Sequence, residues 1–326
     1  MSGRKDSVIA TLPARVSVII PTKDRSACLR QALTSVRALE GDDLSLEVIV
    51  VDDGSIDDTA AVARQFGALH LRGTTPGAAA TRNVGLMAAT GEYVTFLDDD
   101  DIFTPQHIRP QLAVLEARPE LAAVVGQRIC ADTALRPILA PIPQTLPADG
   151  YVFPAFLEQW PQLGTLVVRA LLLQSVGLFD VRYPGGEDWD WTLRLALRYR
   201  IGFVPVPSLL FRVRPVGSET EDSATWGRVG VNRRVFWTNV WRSGAQRPSL
   251  KKTVRMYLHH RGFYADYFIR SALAHLSRGD RGAALRALLL GLRTSTPHVA
   301  WALLRRPDVR DALASALSSG APAAMA

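Results

Sequence analysis

The first 125 or so residues alternate short apolar runs with stretches of helical period. The apolar runs are continuous, which is typical of strands buried on both faces of a parallel sheet. Helices are predicted between them, near residues 26–39, 57–66, 77–89 and 105–117. Alternating strands and helices predict a doubly wound α/β layer that binds ligands at the carboxyl ends of its strands. The predicted strands are Val16–Ile20, Leu46–Val51, Ala68–Leu71, Tyr93–Leu97 and Leu121–Val125.

The rest of the chain has a different pattern. Residues 126–163 are rich in proline and lack periodicity, so an irregular loop is predicted there. A strand near Thr165–Val168 and a glycine turn at 185–186 precede a helix predicted from Glu187 to Tyr199. Two short strands, Gly202–Pro205 and Leu209–Val213, come next. From about residue 224 the pattern is helical to the end, with residues 318–326 expected to fray.

Charge divides the chain in the same way. The net charge is +7, but residues 222–326 hold 17 Lys and Arg against 5 Asp and Glu, so this region carries +12 and the remainder −5. An acidic front suits a bound cation. A basic rear suits either an anionic partner or an arginine-rich helical surface in solvent.

Targeting signals are not visible in the sequence. The apolar run at 16–20 is too short for a secretory signal, and arginines interrupt the most apolar late stretch, Ala283–Leu304. Two cysteines, Cys28 and Cys130, are too few for a disulfide framework and favour a reduced, cytosolic compartment. We therefore expect a cytoplasmic protein, at most peripheral at the inner face of a membrane.

Four consecutive aspartates, Asp98–Asp101, follow the fourth predicted strand. Their mutual repulsion is relieved by a divalent cation, since Mg²⁺ or Mn²⁺ takes oxygen ligands from carboxylates and substrate phosphates. A solvated acidic loop is the alternative. Two other polar clusters, Pro21–Arg25 and Asp52–Ser55, also end strands, so the three are expected to share one crevice.

Two further segments fit that crevice. Gly54 and Ser55 are enough to make a turn and cap a helix, with Asp58 completing a capping box, so Asp52 or Asp53 is available to accept a bond from a base or ribose. The small residues after Pro76 let backbone approach a ligand closely, and Arg82 is either a surface cation or a donor to phosphate or uracil.

A fourth segment, Gly185–Trp191, opens the predicted amphipathic helix with acids. These acids either satisfy free N–H groups of the first turn or supply a general base. Trp189 and Trp191 either frame a sugar or pack in a core, and packing is favoured for Trp189. His259 and His260 have no acidic partner pattern and are expected on the surface. Dinucleotide, P-loop, zinc and serine-elbow motifs do not occur.

Together these segments resemble the family 2 glycosyltransferases of the GT-A fold. The resemblance covers about residues 16 to 215, and its order and spacing make it specific. The segments that carry it are VSVIIPTKDR (16–25), LEVIVVDDGSIDD (46–58), GAAATRN (77–83), GEYVTFLDDDD (91–101) and GEDWDWTLRL (186–195).

The resemblance implies inverting transfer of a sugar from a nucleotide-diphosphate donor, usually a uridine one, with Mg²⁺ or Mn²⁺. Asp98 and Asp100 match its D-x-D pair, the first near the ribose and the second on the metal, with Asp99 leaving the register ambiguous by one. Asp188 matches the base, and Glu187 is the alternative. The residues implied along the donor are Pro21, Thr22 and Asp24 at the nucleotide, Asp53 at the base, and Arg82 at the base or diphosphate.

Two departures from the family pattern bear on function. Where many relatives carry a histidine near the end of the catalytic domain, this chain has Arg214, which suits phosphate better than a metal. The Q-x-x-R-W pattern of processive relatives is absent, so a non-processive enzyme is implied, acting on a glycan or lipid-linked acceptor and not on nucleic acid.

We accordingly predict three regions: a nucleotide-sugar-binding half (1–125), an acceptor-binding half with the base (126–221) and a basic helical extension (222–326). The extension is predicted to rest on anionic lipid. Two other functions remain open, a sugar nucleotidyltransferase and a non-catalytic nucleotide- or glycan-binding module on the same fold.

Overall fold

The structure is a computed structural model that describes residues 14–307, 309–311 and 314. The chain forms two compact units. The first contains residues 14–151, 161–179 and 199–212, and the second contains 152–160, 180–198 and the described residues from 213 on. The predicted three-part division stays a prediction, because packing defines the units whereas binding roles define the three parts. The predicted fraying at 318–326 lies outside the described residues.

The first unit is built on one mixed sheet. Its strands are β1 (Ala14–Thr22), β2 (Leu44–Asp52), β3 (Leu69–Arg72), β4 (Tyr93–Phe96), β5 (Ile102–Phe103), β6 (Leu121–Ala131), β7 (Leu166–Arg169) and β8 (Arg200–Arg212). Its helices are α1 (Ser26–Arg37), α2 (Thr59–Gln65), α3 (Ala78–Ala88), α4 (Arg109–Ala117) and, after α5 of the second unit (Phe153–Glu158), α6 (Leu173–Val176).

The strands lie in the order β3-β2-β1-β4-β7-β6-β8-β5. β1 pairs in parallel with both β2 and β4, and β3 and β8 pair in parallel with β2 and β6. The other neighbours, β4–β7, β6–β7 and β5–β8, are antiparallel. The predicted α/β fold with a mostly parallel sheet is confirmed. Strand order reverses beside β1, which opens a ligand crevice at the carboxyl ends of β1 and β4.

Burial explains why the first strands form where the sequence predicts them. Val16, Val18, Ile19 and Ile20 of β1 are all fully buried, as are Val48–Val51 of β2 almost throughout. A strand covered by helices on both faces has no polar side to show. The helix boundaries likewise fall within a few residues of the predicted ones.

The region from 126 to 163 differs from the prediction of an irregular loop. β6 continues to Ala131, and α5 lies within the same region. Further along the chain, β8 is one strand of 13 residues where two short strands were predicted. β6 and β8 pair in parallel with register shifts at Val125/Gln127 and Gln127/Arg128, beside Pro205 and Pro207. Such irregularities let a sheet accommodate prolines, which have no backbone N–H to donate to a neighbouring strand. A Cβ at Gly126 would lie 1.9 Å from Ser208 Oγ, so only glycine fits this crossing.

The second unit is helical. Besides α5 it contains α7 (Glu187–Arg198), α8 (Glu219–Arg242), α9 (Leu250–Ser277) and α10 (Arg281–Arg305). Ser218, Ser249 and Asp280 cap the last three by accepting a bond from a first-turn N–H, which is why these helices begin there. α9 and α10 pack through small side chains such as Ala265, Ala272 and Ala287. The predicted helical C-terminal region is confirmed.

Within α10 the backbone leaves helical geometry at Ser295, two residues before Pro297. Proline removes a helical donor and clashes with the preceding turn, which accounts for the kink. None of the helices in the described part of the chain is long and apolar enough to cross a membrane.

Candidate functional site

The aspartate loop, Asp98–Asp101, follows β4 in the first unit. Its members alternate in environment. The Asp99 carboxylate accepts bonds from Thr22 Oγ1 at 2.8 Å and Arg25 Nη1 at 3.0 Å, and its side chain is 6% exposed. Asp101 is also buried, whereas the Asp98 and Asp100 side chains are 32% and 18% exposed. Asp99 and Asp101 are therefore the buried members of the loop, whereas Asp98 and Asp100 are partly exposed and are paired with Arg82 and Arg25.

Asp101 is anchored by the end of β8. Its Oδ1 accepts the backbone N–H of Arg212 at 2.8 Å, and Arg212 Nε donates to the backbone oxygen of Asp100 at 2.8 Å. Burial, followed by the nearby Asp98 charge, raises the pKa of Asp101 well above its usual range. The sequence did not single out Arg212, since nothing in its local pattern shows that β8 ends beside this loop.

Arg25 ties the first strand to the same loop. One Nη1 contacts both the Asp99 and Asp100 carboxylates, at 3.0 and 3.1 Å. Burial alone would lower the pKa of Arg25, but the two carboxylates outweigh it and the pKa lies above its ordinary value. Burial also raises the pKa of Asp99, against the effect of Arg25 and Thr22. The predicted cluster Pro21–Arg25 and the aspartate loop do share one crevice.

Arg82 lies in the first turns of α3, as predicted. It is only 5% exposed, its Nη2 donates to Asp98 Oδ1 at 2.6 Å, and its guanidinium lies 5.8 Å from the ring centre of Phe179. The neighbouring Asn83 exchanges two bonds with the Phe179 backbone, at 2.8 and 2.9 Å. Arg82 is therefore a held arginine that neutralises an aspartate of the loop, and Asn83 fixes the ring it rests on.

The ends of β1 and β2 are bonded to each other. Asp24 N donates to Ser55 Oγ, and Asp24 Oδ1 accepts from Ile56 N, both at 2.8 Å. Asp24 adopts a left-handed backbone with φ +50°, which an aspartate tolerates better than most residues. Asp24 thus holds two loops in place, and any contact with a nucleotide would add to that role.

Asp52 and Asp53 have different environments. Asp52 is buried and accepts Ser55 N at 2.7 Å and faces His70 Nε2 at 3.2 Å. Burial raises its pKa less than these bonds lower it, so it stays below its ordinary value. Asp53 accepts Gly77 N at 3.1 Å and lies 3.7 Å from Lys23 Nζ. Asp53 is the more accessible acid of this pair.

The helix cap predicted at Ser55 is not formed. α2 begins at Thr59, and the carboxylate that accepts the Thr59 N–H belongs to Asp57, at 3.1 Å. Asp57 also accepts Ser26 N, and these bonds lower its pKa to about 2. The predicted capping box with Asp58 is wrong, because Ser55 is already engaged with Asp24.

The carboxylate oxygens near this loop suit a hard divalent cation that also takes ligands from a bound phosphate. No group of three or more His, Cys, Asp or Glu side chains forms a closed metal cage among the described residues. Mg²⁺ typically needs only one or two protein carboxylates, with phosphates and water completing the shell. Asp100, a partly exposed carboxylate with Asp98 two residues away, can provide them.

The second unit holds the other acidic cluster, in the first turn of α7. Glu187 is 4% exposed, and its Oε2 accepts Gly185 N and Gly186 N at 2.7 and 3.0 Å. Asp190 is fully buried and bonded to Arg194, Asn239 and Arg242. Asp188 is the acid of this turn that is only partly buried, and its Oδ1 accepts Trp189 N at 2.7 Å.

The remaining predicted residues also lie in the second unit. Trp189 is buried and donates from Nε1 to Phe156 O at 2.8 Å, and Trp191 is fully buried, so both are packed side chains. Arg214 is exposed between β8 and α8. His259 is exposed as expected, but His260 is buried, because it packs among rings of α9 and its neighbours, including Trp160 and Trp189.

Comparison with known proteins shows which family part of the chain resembles. Residues 17–158 match the family described as Glycosyl transferase family 2. An uncharacterized glycosyltransferase of Rickettsia conorii is 29% identical over 192 residues, 58% of this chain and 31% of that protein. The chain thus spans about a third of the length of this curated relative.

Solved structures agree on the fold. S. aureus TarS 1-349 in complex with UDP-GlcNAc has a TM-score of 0.55 at 18% identity, covering 93% of this chain and 89% of that one. The mannosyltransferase PcManGT of Pyrobaculum calidifontis, in complex with GDP-Man and Mn²⁺, has a TM-score of 0.55 at 22% identity, covering 95% and 89%.

The sheet and these matches define a GT-A-like fold. Over residues 17–158, somewhat less than half of the chain, the sequence is similar to glycosyl transferase family 2. The predicted resemblance and the predicted fold are confirmed, and the roles of individual residues stay predictions.

Proposed function

We propose that this protein transfers a sugar from a nucleotide-diphosphate donor, a uridine one by preference, to an acceptor hydroxyl. The observation that carries the proposal is the alternation in the aspartate loop. Asp99 and Asp101 are buried and bonded, whereas Asp98 and Asp100 are partly exposed. The loop follows β4 near the switch point of the sheet, where ligands bind in folds of this kind. That S. aureus TarS and PcManGT were solved with UDP-GlcNAc and GDP-Man supports a donor of this class.

The donor would lie across the ends of β1, β2 and β4. Pro21, Thr22 and Asp24 would line the nucleotide, and Asp53 would accept from its base. Arg82 is already held at 2.6 Å from Asp98, which suits an arginine that meets the base or diphosphate beside an acid that meets the ribose. In this assignment Asp99 is a positioning residue that holds Thr22 and Arg25.

Asp100 is the proposed ligand of Mg²⁺ or Mn²⁺, consistent with the Mn²⁺ present in the PcManGT complex. The bound ion would supply charge stabilisation at the departing diphosphate. Arg25 lies 3.1 Å from Asp100 and would keep this carboxylate oriented. Arg214 is proposed as a secondary phosphate contact.

Asp188 is the proposed base. The acceptor oxygen attacks the anomeric carbon opposite the leaving diphosphate, and Asp188 takes its proton, so the configuration inverts. Glu187 suits this role less well, since both of its neighbouring glycine N–H groups use its carboxylate. Without the pattern of processive relatives, addition of one or few sugars in cell-surface glycan or glycoconjugate synthesis is proposed.

The helical unit is proposed to contact an anionic membrane surface from the cytoplasmic side. Leu250, Val254 and Leu258 are exposed at intervals of four along α9, beside Lys251 and Arg255. An apolar stripe flanked by cations is typical of helices that lie on anionic lipid. Flotation with phosphatidylglycerol vesicles should recover the protein, and triple substitution of the stripe by serine should reduce recovery. Equal recovery with neutral lipid would contradict this contact.

The reaction itself is tested by a thermal-shift screen of nucleotide sugars with and without Mn²⁺, followed by product analysis with the best donor. A transferase releases free nucleoside diphosphate, whereas a sugar nucleotidyltransferase releases pyrophosphate. If a nucleotide sugar stabilises the protein but no sugar is transferred to any offered acceptor or to water, a non-catalytic binding module would be favoured. Absence of any Mn²⁺-dependent shift across the donors would contradict the proposal.

A further inference from the structure

A second cavity lies wholly within the helical unit, among α8, α9 and α10. It has a volume of about 340 Å³, large enough for a single sugar ring with an attached group. The residues that line it come from these three consecutive helices. None of the motifs discussed above falls in this cavity, and the proposed donor site does not use it.

Three arginines give the cavity its charge. Arg233, Arg261 and Arg293 line it, and no acidic side chain is among its lining residues. Arg261 Nη2 donates to the backbone oxygen of Arg293 at 2.9 Å. Arg233 and Arg293 have no ion pair with any residue of the described ranges. Arginines gathered without carboxylates form a site for an oxyanion, and the guanidinium fork matches phosphate.

Aromatic and imidazole groups complete the lining. Trp226 is 37% exposed at the cavity, and Tyr257 and Tyr264 contribute rings. His260 is 5% exposed, and within the described chain its Nδ1 is buried without a hydrogen-bond partner. A buried polar nitrogen without a partner is costly unless a ligand or water meets it. The aromatic faces can pack against a sugar ring, and His260 Nδ1 can form a hydrogen bond with one of its hydroxyls. The lining therefore suits a polyhydroxylated ring.

The open space depends on a glycine of α8. A Cβ built at Gly230 meets no heavy atom within 4 Å, so the helix presents bare backbone to the cavity. Glycine costs an α-helix about 0.5–1 kcal/mol relative to alanine, and here it leaves room that any larger side chain would fill.

The same helix supports the turn that carries the proposed base. A Cβ at Gly186 would lie 2.3 Å from Asn232 Oδ1, so this turn packs directly on α8. Asn232 Nδ2 in turn donates to the Tyr264 hydroxyl at 2.6 Å. Tyr264 lines the cavity, and Asp188 is close enough to add to the effect of burial in raising the pKa of Tyr264. The cavity is thus one layer of side chains from the base-bearing turn.

We propose that this cavity binds the phosphate-bearing end of an anionic saccharide, and that this saccharide is the acceptor. The arginines would hold the phosphate and the aromatic residues the adjoining ring, and the acceptor hydroxyl would lie on the part of the saccharide that extends out of the cavity toward the Asp188 turn. The acceptor assignment rests on the proposed function, whereas binding of a sugar phosphate does not. The phosphate belongs either to a soluble sugar phosphate or to a lipid headgroup, and the probes distinguish these two sources.

Titration calorimetry on the full chain tests the site, with glucose 1-phosphate and glucose as soluble probes and phosphatidylinositol or phosphatidylcholine vesicles as lipid probes. Two variants remove the site: R233A/R293A deletes its charge, and Gly230→Leu fills its space without a backbone clash. The matched control is R270A/R305A, which removes two exposed arginines that neither line the cavity nor flank the apolar stripe of α9. Binding of UDP-glucose with Mn²⁺ is measured in parallel.

We expect glucose 1-phosphate or phosphatidylinositol to bind the wild type and the control equally. Binding of glucose 1-phosphate should weaken by about tenfold or more in R233A/R293A and be lost in Gly230→Leu, and binding of phosphatidylinositol vesicles should fall to the level seen with phosphatidylglycerol vesicles, which the α9 stripe also contacts. Which probe binds identifies the source of the phosphate. Equal losses in both arginine pairs, binding of glucose as tight as of its phosphate, or full binding by Gly230→Leu would overturn the proposal. Failure of UDP-glucose binding alone would contradict the donor assignment and leave the cavity result standing.

Discussion

Both acidic clusters of this protein contain buried acids that are held by hydrogen bonds, but the groups that hold them differ. In the aspartate loop of the sheet unit, Asp99 is held by Thr22 and Arg25, and Asp101 by Arg212. In the first turn of α7, Glu187 is held by two glycine N–H groups, and Asp190 by Arg194, Asn239 and Arg242.

In each cluster the remaining acids are the more accessible ones. They are Asp98 and Asp100 in the loop and Asp188 in the turn. The difference lies in where the partners come from. The loop depends on side chains brought from β1 and β8, whereas the turn is held largely by its own backbone and by α8. We therefore expect the buried acids to stabilise the fold and the accessible acids to bind ligands or act in catalysis. Substitutions should separate these two roles.

The largest expected effect is at Asp188. Asp188→Asn keeps the shape of the side chain but cannot take a proton, so turnover should fall by about 100- to 10,000-fold. Donor affinity by calorimetry should stay within about twofold, and Asp266→Asn, an exposed acid of the same unit, should behave as wild type. Full activity in Asp188→Asn would overturn the assignment of the base.

The buried neighbour should show the opposite behaviour. Asp190→Ala leaves Arg194 and Arg242 without their buried partner, and the free energy of unfolding should fall by about 3–5 kcal/mol. Asp188→Ala should lower it by about 1 kcal/mol or less. Chemical denaturation measures both, and equal losses would show that burial does not separate the two roles.

In the aspartate loop the corresponding test is Asp100→Asn. We expect the affinity for UDP-glucose in Mn²⁺ to weaken by about tenfold or more, because a carboxylate ligand is lost. In EDTA the wild type and the variant should bind equally weakly. A variant whose affinity falls as much in EDTA as in Mn²⁺ would assign Asp100 to the nucleotide instead of the metal.

The smallest effect concerns acid sensitivity of the helical unit. Burial, with smaller contributions from His259 and Arg261, lowers the pKa of His260 from 6.5 to about 4. The neutral imidazole therefore stabilises the fold above pH 6.5, and this contribution is lost as the pH falls from 6.5 toward 4. At pH 5.5 the loss is about 1.4 kcal/mol. Unfolding of His260→Leu should lack this part of the pH dependence, and identical pH profiles would contradict it.

The sequence was informative where a residue's surroundings follow from its own strand. Continuous apolar runs such as Val16–Ile20 identified the parallel strands. A strand end identified the aspartate loop, and the run of small residues after Pro76 identified Arg82. It was uninformative where the partner is remote. β6 and β8 pair through irregular registers around two prolines, which local propensity disfavours. Arg25, Arg212 and His260 acquire their roles only from residues that folding brings beside them, so no local pattern marks them.

The central claim is that the accessible carboxylates of the aspartate loop share a divalent ion with the diphosphate of the donor. A crystal grown with UDP and Mn²⁺ tests it most directly, through anomalous scattering from manganese. We predict a manganese peak bonded to Asp100 and to diphosphate oxygens, with Asp99 still held by Thr22 and Arg25. A nucleotide bound elsewhere, or manganese absent from Asp98–Asp101 while UDP occupies the crevice, would contradict it.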